Sequence, residues 1–444
     1  MATLSLSARF GLYTPTYGPD PAETAQTLVP ADGWKKFFFH NVWFDDDAIY
    51  DDSTGTVTIP ATGIYYINVQ MNSYPGTSPG EEFTVRILAD GTTTIAEGFQ
   101  KRNTGTGQPS ETATYAACIE GGTTLTFEAQ ISSDNVAHMV GYLSLVRVPD
   151  PFAIADLDTG PVDDFVEWSD VCNQPSWLDP GNLTRWTVSE DGFYFLTLKD
   201  NTTVPIGFFD EYWRTHYVYV NGVDIDNVSA NAGASSNVPF TTILELTAGD
   251  YVEVFVLFKT GAPIGLSVAD MTMYKIPDAV AGAEIYEYNF VYTTVAFTEP
   301  TYGTSVFDTD GYWAGAGDKS KLVVPSGKGG KYLVWAQYVE AANREINYLI
   351  SSSTDQYQYG CACSENYALQ NVVSPTSFAL WDLADGDYIQ MFVQNGDAAS
   401  GGGPGNAYHL RFGLVNIDGW TYTSQNGCPC PSGFLPQIYR WLGR

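Results

Sequence analysis

A chain of 444 residues that is 44% hydrophobic is too long for one small domain and apolar enough to build real cores, which excludes a disordered protein. A formal net charge of −31 excludes a nucleic-acid surface, which must be positive, and adhesion to anionic lipid. Aromatic content of 14%, with 43 Gly and 24 Pro, predicts many short strands joined by turns.

The opening Met1-Ala2-Thr3-Leu4-Ser5-Leu6-Ser7-Ala8-Arg9 lacks the basic region and sustained apolar core of a secretory signal, so cytosolic synthesis is expected. No stretch approaches the length of a membrane span. Phe44 then leads into the densest acidic cluster, where Asp45, Asp47, Asp51 and Asp52 are weak calcium candidates. A solvated acidic loop fits them better, because no EF-hand-like spacing is present.

Three segments share a strand, a Gly-containing turn and a second strand. Residues 56–71 read TVTIPATGIYYINVQM, residues 186–198 read WTVSEDGFYFLTL, and residues 321–338 read KLVVPSGKGGKYLVWAQY. Aligning Gly63, Gly192 and Gly330 puts Tyr65, Tyr194 and Tyr332 in one column. Beyond each Tyr, alternate positions are apolar (Ile67 and Val69, Leu196 and Leu198, Val334 and Ala336), which predicts one core-facing side of a sheet. Between this anchor and the next lie Asp90-Gly91 in the first copy and Asn221-Gly222 in the second, both strong hairpin signals. The third copy has no such dipeptide over 347–352, so its turn is expected to differ.

A second anchor recurs as ACIEGGTTLTFEA over 117–129, LELTAGDYVEVFV over 244–256 and WDLADGDYIQMFV over 381–393, with Gly122, Gly249 and Gly386 at the turn. A third closes each copy, at 142–148, 272–276 and 411–417. The first two closing strands exit through Val148-Pro149-Asp150 and Ile276-Pro277-Asp278, where proline suits a strand end and a boundary. Three anchors in one order, roughly 125–140 residues apart, predict domains at 1–149, 150–277 and 278–418, followed by a tail at 419–444.

Chemistry finds little foothold. The four histidines, His40, His138, His216 and His409, form neither a His-x-His nor a His-Glu-x-x-His pattern, and no Gly-x-Ser-x-Gly elbow accompanies them. The glycine run from Gly401 to Gly405 lacks the Lys-Ser/Thr of a phosphate loop. No catalytic residue, metal or cofactor is therefore expected. Trp168, Trp177, Trp186 and Trp213 crowd the second copy and admit a sugar-binding reading, but core packing fits most of them better. Six cysteines spread over this length do not read as a disulfide framework and suit a reducing cytosol. Cys361-Ala362-Cys363 and Cys428-Pro429-Cys430 are too tightly spaced for a usual zinc knuckle, leaving a disulfide across the pairs or free thiols.

Residues 419–444 hold no Asp or Glu and two Arg. Pro429, Pro431 and Pro436 oppose regular structure, and Phe434, Leu435, Ile438, Tyr439, Arg440, Trp441, Leu442 and Arg444 are then concentrated at the end. Such a segment either folds back onto the third copy or docks on another polypeptide with its aromatic and Arg residues at the centre.

At its anchors the chain resembles the C1q/TNF-like jelly-roll superfamily. The motifs that carry the resemblance are Ile59-Pro60-Ala61-Thr62-Gly63-Ile64-Tyr65-Tyr66, Asn221-Gly222, Leu246-Thr247-Ala248-Gly249-Asp250-Tyr251-Val252 and the stretch from Leu383 to Ile389, over about residues 30–418. The third copy departs most, with Ser326-Gly327-Lys328-Gly329-Gly330 where the lead-in belongs. The resemblance implies an all-β chain of three tandem jelly-roll-type β-sandwich domains, able to pack as an intramolecular pseudo-trimer, with a C-terminal extended tail. It implies a binding or structural role rather than turnover. With the charge and the cysteine usage, the expectation is a bacteriophage structural protein: a capsid decoration, head-fibre or adaptor subunit. It would be made in the host cytoplasm, reside in the virion and contact other virion proteins, either capsid or tail subunits. The rival expectation is a module that binds a host receptor or surface glycan, with a carbohydrate-active enzyme on the same scaffold further behind. Neither nucleic acid nor membrane is an expected partner.

Overall fold

The computed structural model describes residues 7–11, 26–28, 33–39, 41–45, 48–74, 82–101, 110–131, 137–148, 152–157, 164–173, 177–179, 181–201, 213–231, 237–259, 268–277, 282–292, 299–314, 317–340, 346–353, 357–362, 372–373, 377–395, 405–418 and 420. Among these there is no helix, and the strands form six antiparallel sheets. The chain is an all-β, multi-domain β-sandwich protein. It divides into two compact units, one built on residues 1–148 and one holding most of 149–420.

In the first unit, one sheet runs in the order Ser110–Ile119, Gly63–Tyr74, Ala137–Arg147, Ser7–Gly11, Asn41–Asp45. The other runs Tyr50–Asp51, Thr56–Thr58, Thr124–Ile131, Glu82–Ala89, Thr93–Lys101. Tyr65, Ile67, Val69, Leu143 and Leu145 of the first sheet share a core with Val57, Val85, Ile87, Leu125 and Phe127 of the second. Period-two alternation thus turns one face of each sheet inward, as expected.

The second unit contains two such pairs of sheets. The earlier pair has the order Ser169–Asn173, Phe152–Leu157, Val268–Lys275, Gly192–Asn201, Asn237–Leu246 against Leu178–Asp179, Asn182–Thr187, Tyr251–Lys259, Trp213–Val220, Val223–Asn231. Its core is built from Tyr194, Leu196, Leu198, Met271 and Met273 facing Val218, Val252, Val254, Val256 and three tryptophans. The later pair has Thr304–Asp308, Gly282–Tyr292, Gly405–Asn416, Gly330–Glu340, Val372–Val373 against Lys321–Val323, Tyr388–Asn395, Ile346–Ser352, Tyr357–Ala362.

Local geometry at the aligned positions is the same in all three sandwiches. Tyr65, Tyr194 and Tyr332 are fully buried, and each hydroxyl donates to the carbonyl four residues earlier: to Ala61 at 2.6 Å, to Glu190 at 2.8 Å, and to Lys328. Gly122, Gly249 and Gly386 have φ of 91°, 95° and 83°, the left-handed region that favours glycine because it has no Cβ. Their N–H groups donate to Ile59, Val188 and Val324 at 2.7, 2.8 and 2.9 Å, which pins the turn to the preceding strand. Asp90-Gly91 and Asn221-Gly222 have positive φ at both residues, as a twist-matched two-residue hairpin requires.

These hairpin turns also tie to the second anchor. Asp90 Oδ1 accepts from the Thr124 N–H at 2.9 Å, and Asn221 Oδ1 from Tyr251 at 3.1 Å. In the third sandwich, which lacks the dipeptide, Ser353 Oγ takes the same role toward Tyr388 at 3.0 Å. The departing lead-in of that sandwich is likewise compensated. The Asp385 carboxylate accepts from the N–H groups of Gly327, Lys328 and Gly329 at 2.6, 3.1 and 2.7 Å.

Those donors hold the Asp385 carboxyl below its usual range, Gly327 first. Asp318 is pulled down to about 2 by Lys321 and then by Ser320. A carboxyl depressed in the folded state contributes stability above its unfolded value of about 3.9, and that contribution is lost as pH falls through the folded value. The urea midpoint of the second unit should therefore drop as pH is lowered from about 4 to about 2. Asp385→Asn should flatten that dependence, and an unchanged slope would show that the turn carboxylate is not coupled to folding.

Candidate interaction surfaces

Strand Gly192–Asn201 alternates Tyr194, Leu196 and Leu198 toward its own core, so Phe193 and Phe195 point the other way. That outer face would meet water in an isolated sandwich, yet Phe195 is fully buried. What covers it is the outer face of the third sandwich. Phe195 meets Trp335 edge-on, with centroids 5.5 Å apart at 88°. Phe193 lies 5.2 Å from Phe307. Tyr274 stacks on Phe195 at 5.2 Å and takes Trp420 edge-on at 5.9 Å. Offset and edge-to-face pairs of this kind add to the area they bury.

A charged pair sits within this aromatic seam. Arg411 Nε lies 3.0 Å from Glu284 Oε1, and the two side chains are 5% and 0% exposed. Trp335 Nε1 donates to the other Glu284 oxygen at 3.0 Å, and Arg411 Nη1 donates to Thr242 Oγ1 of the second sandwich at 2.7 Å. Ion pair, indole and hydroxyl thus form one network across the two sandwiches. Its geometry depends on strand register, since Trp335, Gly413 and Glu284 lie opposite one another on adjacent strands.

The opposite sheet of the second sandwich carries a different surface. Val218, Val252, Val254 and Val256 face its core, so Tyr217, Tyr219, Tyr251, Glu253 and Phe255 face outward. Phe165 lies edge-on to Tyr219 at 5.4 Å and to Phe255 at 5.3 Å, and Tyr217 lies 6.2 Å from Phe255 and 6.4 Å from Tyr219. All four rings are half-buried. Asp224 stands opposite Tyr219 in the register. Burial, and then the charge of Asp224, holds the Tyr219 hydroxyl above the ordinary tyrosine value. On the same face, Glu253 lies opposite Tyr219 in the register, and the Arg185 guanidinium pairs with it at 2.9 Å while lying over the Tyr251 ring at 4.3 Å.

The residues expected to carry chemistry are placed as follows. Asp45 accepts from the N–H groups of Ile49 and Tyr50, and Asp51 from Ser53 and Thr54, so both carboxylates brace their own loop. Asp52 is exposed, and Asp47 lies outside the described residues. Among the described residues no three His, Cys, Asp or Glu groups converge on a possible metal position. Trp168, Trp177 and Trp186 are core residues, not a sugar platform. The Trp213 side chain lies outside the described residues, and His216 is buried.

Cys118 is disulfide-bonded, a pairing that its place in the sequence does not single out. Pairing depends on proximity in the fold, which spacing along the chain does not reveal. Trp420 is fully buried in the second unit, and its N–H donates to the Ile417 carbonyl at 3.2 Å. Phe434, Leu435, Ile438, Tyr439, Arg440, Trp441, Leu442 and Arg444 lie outside the described residues.

No protein-family model and no curated protein matches the chain. Solved structures similar to it are C1q/TNF-like jelly-roll proteins. The globular domain of zebrafish complement 1qA protein is 12% identical, over 30% of this chain and 94% of that one, with a TM-score of 0.25. Eiger TNF from S. frugiperda is 14% identical, over 33% and 94%, with a TM-score of 0.22. Rabbit GITRL is 16% identical, over 28% and 93%, with a TM-score of 0.20. The assignment to multi-domain β-sandwich rests on the sheets themselves.

Proposed function

We propose that this chain is a non-enzymatic structural protein of a virus particle: a bacteriophage capsid decoration, head-fibre or adaptor subunit that acts through protein–protein contacts. The observation that supports this reading is the seam in the second unit. There the centre of an outer sheet face, with Phe195, Tyr274, Trp335 and the Glu284–Arg411 pair, is spent on packing sandwich against sandwich. Such a face builds a rigid body and leaves its chemistry unreachable by substrate. The net charge of −31 keeps copies apart in solution, so attachment to a shell needs a local exception, and the acid-free segment at 421–444 supplies one. A disulfide at Cys118 suits a protein that ends outside a reducing compartment, as a particle surface does.

The test is deletion of residues 434–444. Truncating one aromatic anchor at an interface costs about 2 kcal/mol or more, roughly a thirtyfold loss of binding, and this deletion removes several. The shortened protein should keep its β-rich circular dichroism and its unfolding transitions but fail to enter particles. Incorporation at the normal level would overturn the anchoring role and move the contact to a sandwich face.

A further inference from the structure

We propose that the outer face of the sheet formed by Asp164–Phe165, Tyr251–Lys259, Trp213–Val220 and Val223–Asn231 is a binding platform for an uncharged pyranose polysaccharide. The inference goes beyond the structural role and does not depend on the tail.

The case starts from what the face spends on rings. An outward sheet face gains nothing in its own core from aromatic residues, yet Phe165, Tyr217, Tyr219 and Phe255 form one contiguous, partly exposed cluster. Contact among the rings fixes their orientation before any ligand arrives, so binding forfeits little side-chain freedom. Standing on a sheet, they present a broad surface rather than a slot, which suits the flat C–H face of a pyranose ring. Two of the four carry hydroxyls that both donate and accept. Asp224, opposite Tyr219, adds negative charge beside the rings.

Charge selects among the possible occupants. The face carries Asp224 and the Arg185–Glu253 pair, which is neutral as a unit, so with −31 on the chain an anionic glycan, a nucleic acid or an anionic lipid surface is repelled. A second copy of this chain brings the same charge and the same carboxylate, and is repelled as well. An uncharged polysaccharide meets no such barrier, and its affinity comes from stacking and hydroxyl contacts, which these residues offer.

The experiment is affinity electrophoresis of the full chain in gels containing dextran, yeast mannan or hydroxyethyl cellulose, with heparin as an anionic control. At least one neutral polymer should retard the protein, and heparin should not. Tyr217→Ala and Phe255→Ala should each weaken that retardation at least tenfold, while Tyr219→Phe, which keeps the ring, should weaken it only a few-fold. Should an alanine variant lose its thermal transition, Tyr217→Ser and Phe255→Leu replace it, with the same expectation. No retardation by any of the three neutral polymers, or retardation unchanged in the ring variants, overturns the proposal. So does a concentration-dependent dimer in sedimentation that Tyr217→Ala abolishes, which would assign the face to self-association.

Discussion

Replacing Arg411 with Met should destabilise the second unit by about 3–5 kcal/mol, because it strands the Glu284 carboxylate in a buried site without its cation. The pair is nine-tenths or more hidden from water on both sides, so solvent cannot take over the role of the guanidinium. Trp335 Nε1 would remain as a donor to one Glu284 oxygen and would offset part of the loss, while the bond from Arg411 to Thr242 would disappear. The informative control is the double variant Arg411→Met with Glu284→Gln. Removing both charges of a buried pair is often close to neutral, so the double variant should recover most of the loss. Urea unfolding monitored by tryptophan fluorescence reads both values. A cost below about 1 kcal/mol for the single variant would place the pair among solvent-screened bridges and refute the reading of the seam.

Gly413→Ala should cost about 3 kcal/mol, the upper end of what overpacking a well-filled site costs. The reason is steric and not conformational. A Cβ at this position would overlap Trp335 Cζ2 and lie 2.7 Å from Cε2 and 2.8 Å from the Ala283 carbonyl oxygen. One obstacle is a ring locked between Phe195 and Glu284, and the other is backbone of the neighbouring strand, so neither yields cheaply. Gly311→Ala provides the contrast, since no atom lies within 4 Å of its Cβ position and its strain comes from a φ of 82° alone. Thermal unfolding of the two variants separates crowding from backbone strain. A smaller shift for Gly413→Ala than for Gly311→Ala would mean that Trp335 moves freely.

Much of the fold was legible because its determinants are local. Alternation at Ile67 and Val69 or Leu196 and Leu198, the Asp-Gly and Asn-Gly hairpins, and the glycine of each second anchor are short-range signals tied to sheet geometry. The seam was not legible. Glu284, Trp335, Arg411 and Thr242 come from four strands far apart in sequence, and nothing near any one of them announces the others. One signal was available. Residues 193–196 (Phe-Tyr-Phe-Leu) and 332–336 (Tyr-Leu-Val-Trp-Ala) are unbroken apolar runs, the pattern of strands covered on both faces, whereas alternation alone describes only one covered face. The aromatic platform was missed for a related reason. Tryptophans stand out in the sequence but are large enough to be core, while Tyr217, Tyr219 and Phe255 announce themselves only once the register shows that they share the outer face.

The doubly covered strand at Gly192–Asn201 has a consequence in time. Phe193, Phe195 and Tyr274 are translated well before Phe307, Trp335 and Trp420, the rings that cover them. At about 5–20 residues per second, the stretch from residue 276 to residue 420 takes on the order of 7–30 s to make. During that interval the second sandwich holds a complete core but leaves a bare aromatic sheet face on the ribosome. Neighbouring nascent chains on one message would expose the same face together, when each is most able to pair wrongly with the next. Spacing between ribosomes, and therefore initiation rate, becomes a determinant of yield for a protein whose finished form hides the hazard.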